Sequence, residues 1–228
     1  AREIQTPALG VGLDPVLRWR SLDLVGILNG ADYDTWDPRR DPHLPRPYGP
    51  DTLERKEESK RALLARVGLP YRPGAPVIGV VSRLAGQKGF DLCMGVLPEL
   101  LGRTDARFVL LGSGEDRYER YFGALEAALP AKARHAHGFH EDLAHLIEAG
   151  SDLYLMPSLY EPCGLNQMYS LRYGTVPVVR KTGGLADTVT PWDPVARTGT
   201  GFVFVEPTSE ALSRALEDAL ATYADRDA

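Results

Sequence analysis

The chain has 228 residues, with 26 Lys and Arg against 31 Asp and Glu and a formal charge of −5. That balance excludes a broadly basic nucleic-acid binder, since neutralising phosphates takes a surplus of cations, and 43% apolar with 25% charged residues excludes disorder as the main state. No run nears the ~18 apolar residues of a membrane span, Ala1 to Thr6 has neither the basic start nor the apolar stretch of a signal peptide, and the lone, widely separated Cys93 and Cys163 form no CxxC motif or disulfide scaffold, so a cytoplasmic protein with free thiols is expected.

Taken in chain order, short apolar runs alternate with stretches of helical periodicity. Strands are expected over 22–28, 76–81, 107–111, 133–137, 152–156, 176–179 and 201–205, most of them rich in Val, Ile and Leu as buried parallel strands are. Helices are expected over 56–67, 88–101, 117–129, 141–149, 165–173 and 209–223. This βα alternation implies an α/β fold, a doubly wound parallel sheet of Rossmann-like type. Residues 37–50 stand apart: Pro38, Pro42, Pro45, Pro47 and Pro50 forbid helix or interior strand, so an ordered or semi-rigid excursion without chemistry of its own is expected.

Ligands of open parallel sheets bind beyond the carboxyl ends of the strands. After the strand ending at Val81 comes Ser82-Arg83-Leu84-Ala85-Gly86-Gln87-Lys88-Gly89. Two cations at a helix start suit a diphosphate, Arg offering a fork of donors and Lys a point charge; the alternative is a solvated loop. After Met156, Glu161 lies between Tyr160 and Pro162 just before a helix, placed to accept hydrogen bonds from sugar hydroxyls or to face developing positive charge, or merely to complement the helix dipole. Cys163 has no His near it in sequence and reads as a packing residue rather than a nucleophile.

Arg180-Lys181-Thr182-Gly183-Gly184 adds two cations and a glycine pair that would let backbone approach a ligand, or would simply make a turn. Gly112-Ser113-Gly114 lacks the third glycine of a dinucleotide fingerprint. His135, His137, His140 and His145 cluster in sequence, but their spacing puts His140 and His145 on different helix faces with no Cys at ligand spacing, so no metal site is expected.

With these residues laid out, the chain resembles the carboxyl-terminal nucleotide-sugar domain of bacterial glycogen synthases and plant starch synthases. The motifs that carry it are Gly26-Ile27-Leu28-Asn29-Gly30-Ala31-Asp32 with Trp36 and Pro38, Ser82-Arg83-Leu84 with Gln87-Lys88-Gly89, Glu161-Pro162-Cys163-Gly164-Leu165, and Lys181-Thr182-Gly183-Gly184-Leu185-Ala186-Asp187-Thr188-Val189, in the family's order and approximate spacing. The resemblance implies half of a GT-B glycosyltransferase that holds ADP-glucose, the other half bringing an α-1,4-glucan whose non-reducing 4-hydroxyl receives glucose with retention. It implies no metal and no cofactor beyond the donor, and a cytoplasmic or, in a plant, plastid location.

Carried over by residue, Arg83 and Lys88 would hold the diphosphate and stabilise departing ADP. Glu161 would address the glucose hydroxyls and the oxocarbenium-like transition state. Cys163, Gly164 and Leu165 would line the sugar pocket, Asn166 would face phosphate at the helix start, and Phe139 would stack on adenine where the family usually has Tyr. Thr182, Gly183 and Gly184 are assigned to the donor cleft. Tyr169 stands where related transferases carry a second acidic residue. The family's amino-terminal domain has no counterpart here, and residues 1–20 resemble its end, leaving 21–228 as the nucleotide-sugar domain. The chain is therefore expected to be a fragment, inactive or nearly so alone. A retaining GT-B transferase using a UDP- or GDP-sugar, and a non-catalytic nucleotide- or glucan-binding module, are the alternatives.

Overall fold

The computed structural model describes residues 1–225, in two compact units, 1–30 and from 31 onward. The first unit holds helix α1 (Asp14–Trp19), too short to show periodicity in sequence, between 3₁₀ turns at Glu3–Gln5 and Ser21–Asp23. The strand expected over 22–28 is not formed. An apolar run becomes a strand only where a ladder partner satisfies its amides; this one has none among the described residues, and Val25 and Ile27 stand exposed.

The second unit carries the expected doubly wound sheet. Its strands are β1 (Val77–Val81), β2 (Arg107–Gly112), β3 (Ala133–His137), β4 (Leu153–Met156), β5 (Val176–Arg180) and β6 (Phe202–Phe204), all parallel, in the order β3-β2-β1-β4-β5-β6. The helices are α2 (Lys56–Arg66), α3 (Phe90–Met94), α4 (Leu97–Arg103), α5 (Asp116–Ala128), α6 (Glu141–Gly150), α7 (Asn166–Arg172), α8 (Gly183–Thr188) and α9 (Ser209–Ala224).

The period of two along each strand builds two cores. Ile78, Val80, Phe108, Leu110, Leu153 and Leu155 face one, closed by α3, α4, α5 and α9. Val77, Val109, Leu111 and Tyr154 face the other, closed by α2 and α6. The helix expected over 88–101 is instead α3 and α4, because Pro98 at the start of α4 has no N–H and its ring crowds the carbonyl of residue 94.

The Pro-rich excursion is part of the second core, burying Leu44 and Tyr48. It also has chemistry of its own, contrary to expectation. Asp41 accepts hydrogen bonds from His145 Nδ1 (2.8 Å) and Tyr173 Oη (2.5 Å), and Tyr48 Oη donates to the Tyr173 carbonyl at 2.8 Å. Burial alone would raise the Asp41 carboxyl, but these bonds and the His43 N–H hold it below the usual range. Trp36 stacks between His145 and Tyr169, at ring separations of 3.7 and 4.3 Å, which gives Tyr169 a packing role.

On the opposite end of the sheet from the strand carboxyl ends, Lys56 is half-buried and its Nζ donates to the Ala149 carbonyl (2.7 Å) and Thr175 Oγ1 (2.6 Å). Burial lowers this ammonium from 10.5 to about 7. Between pH 7 and 10.5 the unfolded chain therefore holds a proton that the folded chain lacks, and stability rises with pH across that window. Urea titrations from pH 7 to 10 should show wild type gaining stability relative to Lys56→Met; a constant difference would refute the shift.

Candidate functional site

The strand order reverses between β1 and β4, which opens a crevice at their carboxyl ends where open α/β sheets bind ligands. The loop after β1 carries Arg83 and Lys88, and the loop after β4 carries Glu161, so the two loops face each other across it. Lys88 Nζ lies 2.5 Å from Glu161 Oε2. Ser158 Oγ donates to the same oxygen at 3.1 Å. Glu161 is only 7% exposed, whereas Arg83 is exposed and its guanidinium has no hydrogen bond or ion pair among the described residues.

The loops are joined by backbone as well. Gln87 accepts the Leu159 N–H at its carbonyl (2.8 Å) and donates its side-chain amide to the Tyr160 carbonyl (2.9 Å). Gly89 follows Lys88 with φ +72°, and a Cβ there would stand 2.0 Å from the Pro157 carbonyl oxygen; only glycine lets the β1 loop approach the β4 loop this closely.

Lys88 sits in a 3₁₀ turn, Gly86–Lys88. The Gly86 N–H that could have met an anion is taken by Glu115 Oε1 at 2.9 Å, so this turn offers cations rather than that amide.

Beside the crevice, Val81, Ser82, Arg83, Leu111, Gly112, Ser113, Gly138 and Phe139 line a cleft of 310 Å³ at the ends of β1, β2 and β3. The Phe139 ring stands 77% exposed at its edge. The Gly112-x-Gly114 turn, dismissed as a dinucleotide fingerprint, thus shapes the wall of a cleft. Arg83 is common to this cleft and to the crevice.

On the other side, Gly184, the second residue of α8, donates its N–H to the Glu161 carbonyl at 3.0 Å. A Cβ on it would lie 2.1 Å from the Cys163 carbonyl oxygen, so its smallness serves packing against the Glu161 loop. Thr182 is buried and Gly183 has φ +43°. Gln167 Nε2 donates to the carbonyls of Cys163 and Gly164, both at 3.0 Å, and fixes the turn in which Gly164 has φ +71°. Cys163, a free thiol, and Leu165 are half-buried at its rim.

Two expected ligand groups are occupied by the scaffold. Arg180 donates to the carbonyls of Ser158 (2.9 Å), Leu159 (2.5 Å) and Val205 (3.3 Å), gripping the loop that carries Glu161. Asn166 Nδ2 donates to the Val81 carbonyl (2.9 Å) and Tyr154 Oη (2.6 Å), tying the end of β1 to the start of α7. Behind Tyr154, burial pushes the Glu148 carboxyl well above the carboxylate range, against a hydrogen bond from Tyr154 and the nearby Lys56 charge. The histidines disperse: His145 packs on Trp36, His135 bonds the Gly112 carbonyl, and no three His, Cys, Asp or Glu side chains among the described residues could hold a metal. Nor is any described helix long and apolar enough to cross a membrane.

Residues 65–228 match the glycosyl transferases group 1 family. The chain belongs to that family. It is 57% identical over its whole length to a glycogen synthase of Anaeromyxobacter dehalogenans (strain 2CP-1 / ATCC BAA-258), covering 47% of that protein, and 53% identical over 227 residues to glycogen synthase 1 of Methylococcus capsulatus, covering 46%. Among solved structures it is similar to the catalytic domain of starch synthase IV from Arabidopsis thaliana bound to ADP and acarbose, with a TM-score of 0.90 and 36% identity over 99% of this chain and 47% of that one. The resemblance read from the motifs and the expected Rossmann-like, GT-B carboxyl-terminal fold are both borne out. The chain spans about half the length of the curated relatives it matches.

Ser158, Gln87 and Glu115 had no role assigned from sequence. Ser158 and Gln87 lie within the two strand-end loops and could have been found by asking which neighbours orient Glu161 and Lys88. Glu115 acts from another loop, so only the fold brings it to Gly86.

Proposed function

We propose that the chain is the donor-binding half of a retaining ADP-glucose:α-1,4-glucan glucosyltransferase, the class to which glycogen and starch synthases belong. The observation that carries it is the Lys88–Glu161 pair across the reversal between β1 and β4, with Arg83, unpaired among the described residues, in the same strand-end loop as Lys88. The Phe139 cleft takes the adenine. Arg83 and Lys88 take the diphosphate and stabilise the charge that grows on ADP as its bond to glucose C1 breaks. Glu161 meets the glucose hydroxyls and the positive charge developing on the ring, with Cys163, Gly164 and Leu165 around the sugar. Asn166, Thr182, Gly183 and Gly184 hold these loops in place. The α-1,4-glucan, whose 4-hydroxyl bonds to C1 on the face that ADP leaves, comes from a second wall of the cleft outside this chain. The starch synthase IV relative, bound to ADP and acarbose, supports both the nucleotide and the glucan in this reading.

Calorimetric titration of ADP-glucose into the chain should show weak, salt-sensitive binding; no binding of ADP or ADP-glucose at millimolar concentration would sink the proposal. Competition among ADP, UDP and GDP reads the base preference. Arg83→Ala should weaken ADP about tenfold and flatten the salt dependence, as loss of a charge-assisted phosphate contact does; unchanged ADP affinity would remove Arg83 from the site.

A further inference from the structure

We infer that the Lys88–Glu161 ion pair is a placeholder that a nucleoside diphosphate displaces: Lys88 passes from carboxylate to phosphate, and only then is Glu161 free to serve the sugar. The inference rests on the donor-site reading above. Its basis is an asymmetry in how the two partners are held.

Glu161 is fixed from several directions. Its Oε2 accepts from Ser158 as well as from Lys88, its carbonyl accepts the Gly184 N–H, and the residues before it are gripped by Gln87 and Arg180. Its Oε1 has no hydrogen bond among the described residues and is the oxygen open to a ligand. Lys88 has one polar side-chain partner, Glu161, and its ammonium ends a flexible four-carbon stem. Of the two, Lys88 is the group that can move. Arg83, exposed in the same loop and unpaired among the described residues, offers an incoming phosphate its first contact, and Lys88 is the next cation along that loop. Carboxylate and phosphate are both anions, so the two compete for one ammonium. While Lys88 stays on Glu161, its ammonium offsets the carboxylate charge, so Oε1 accepts from hydroxyls more weakly than it does once Lys88 has gone.

Removing the carboxylate charge therefore strengthens nucleotide binding even as it removes the contact to the sugar. In calorimetric titrations of the whole chain, Glu161→Gln should bind ADP about 3- to 10-fold more tightly than wild type, just below the low end of the coupling found for close charge pairs at binding sites, and should lose any preference for ADP-glucose over ADP. In a Lys88→Met background the same substitution should change ADP affinity less than about twofold. Equal or weaker ADP binding by Glu161→Gln, or equal tightening without Lys88, overturns the exchange. Absence of ADP binding to wild type removes the donor-site reading and the inference with it.

A second measurement guards against a misfolded variant. In protein carrying labelled lysine, the Lys88 Cε resonance, identified by its loss in Lys88→Met, should differ between wild type and Glu161→Gln without ligand and coincide when both are saturated with ADP. Persistence of the difference at saturation means that Lys88 never leaves Glu161, and overturns the inference.

Discussion

Lys88→Ala is expected to lower glucan elongation by about 10²–10³-fold, the scale on which removing one preorganised group that stabilises transition-state charge slows an enzyme. The assay pairs this chain with the remaining half of the Anaeromyxobacter relative, since the chain covers 47% of that protein and the proposed acceptor wall lies elsewhere. The loss should fall chiefly on kcat. A cation that only bound the donor would raise KM alone, whereas one that meets charge growing on ADP acts on the transition state beyond its effect on the ground state. Elongation within threefold of wild type would exclude Lys88 from catalysis. If the pair with the relative's half elongates no glucan even with Lys88 present, while the chain still binds ADP-glucose, a non-catalytic binding role is favoured.

Gly89→Ala should be the most damaging single methyl group near the site. The position has φ +72°, costing an L-residue about 1–2 kcal/mol, and the new Cβ would stand 2.0 Å from the Pro157 carbonyl oxygen, so the β1 and β4 loops must separate. A total loss of about 3 kcal/mol in unfolding free energy is expected. Because the same separation pulls Lys88 from Glu161 and strains the Gln87 bonds to Leu159 and Tyr160, ADP binding should fall in whatever protein still folds. Gly102→Ala is the matched control: it lies in α4, a Cβ there meets nothing within 4 Å, and the change should be neutral or stabilising by up to about 1 kcal/mol. Denaturant melts of the two variants separate them, and a Gly89→Ala protein as stable as Gly102→Ala would refute the close approach of the loops.

Most of the six sheet strands were legible as short apolar runs bounded by turn residues, although β3 (Ala133–His137) holds no Val, Ile or Leu, and the strand-end rule then pointed to Arg83, Lys88 and Glu161. The run at 22–28 misled for the same reason: composition records that a segment could be a strand, while pairing depends on a neighbour elsewhere in the chain. The split of 88–101 into α3 and α4 was present in Pro98, but apolar periodicity on both sides of it masked the break. α8 escaped notice since six residues opening with two glycines show neither period nor propensity.

Charge was the least legible property of the site. Arg180 reads in sequence like Arg83, a cation after a strand, yet one is spent on three carbonyls and the other is free. Asn166 likewise serves the end of β1. Which polar groups remain for a ligand depends on which carbonyls the fold leaves unsatisfied nearby, and that is a property of packing rather than of spacing.

The seating of the Pro-rich excursion has a consequence for biosynthesis. Asp41 and Tyr48 find their partners on α6 and at Tyr173, so the last of these contacts joins residues 41 and 173. At about 5–20 residues per second, a ribosome takes roughly 7–26 s to make the intervening chain. Until it ends the segment lacks its full set of native partners. A β-prone stretch left waiting so long would invite pairing with other strands, and the five prolines between Asp37 and Pro50 deny it the donors to do so. The excursion's composition thus protects the nascent chain during the time that its contacts cannot yet exist.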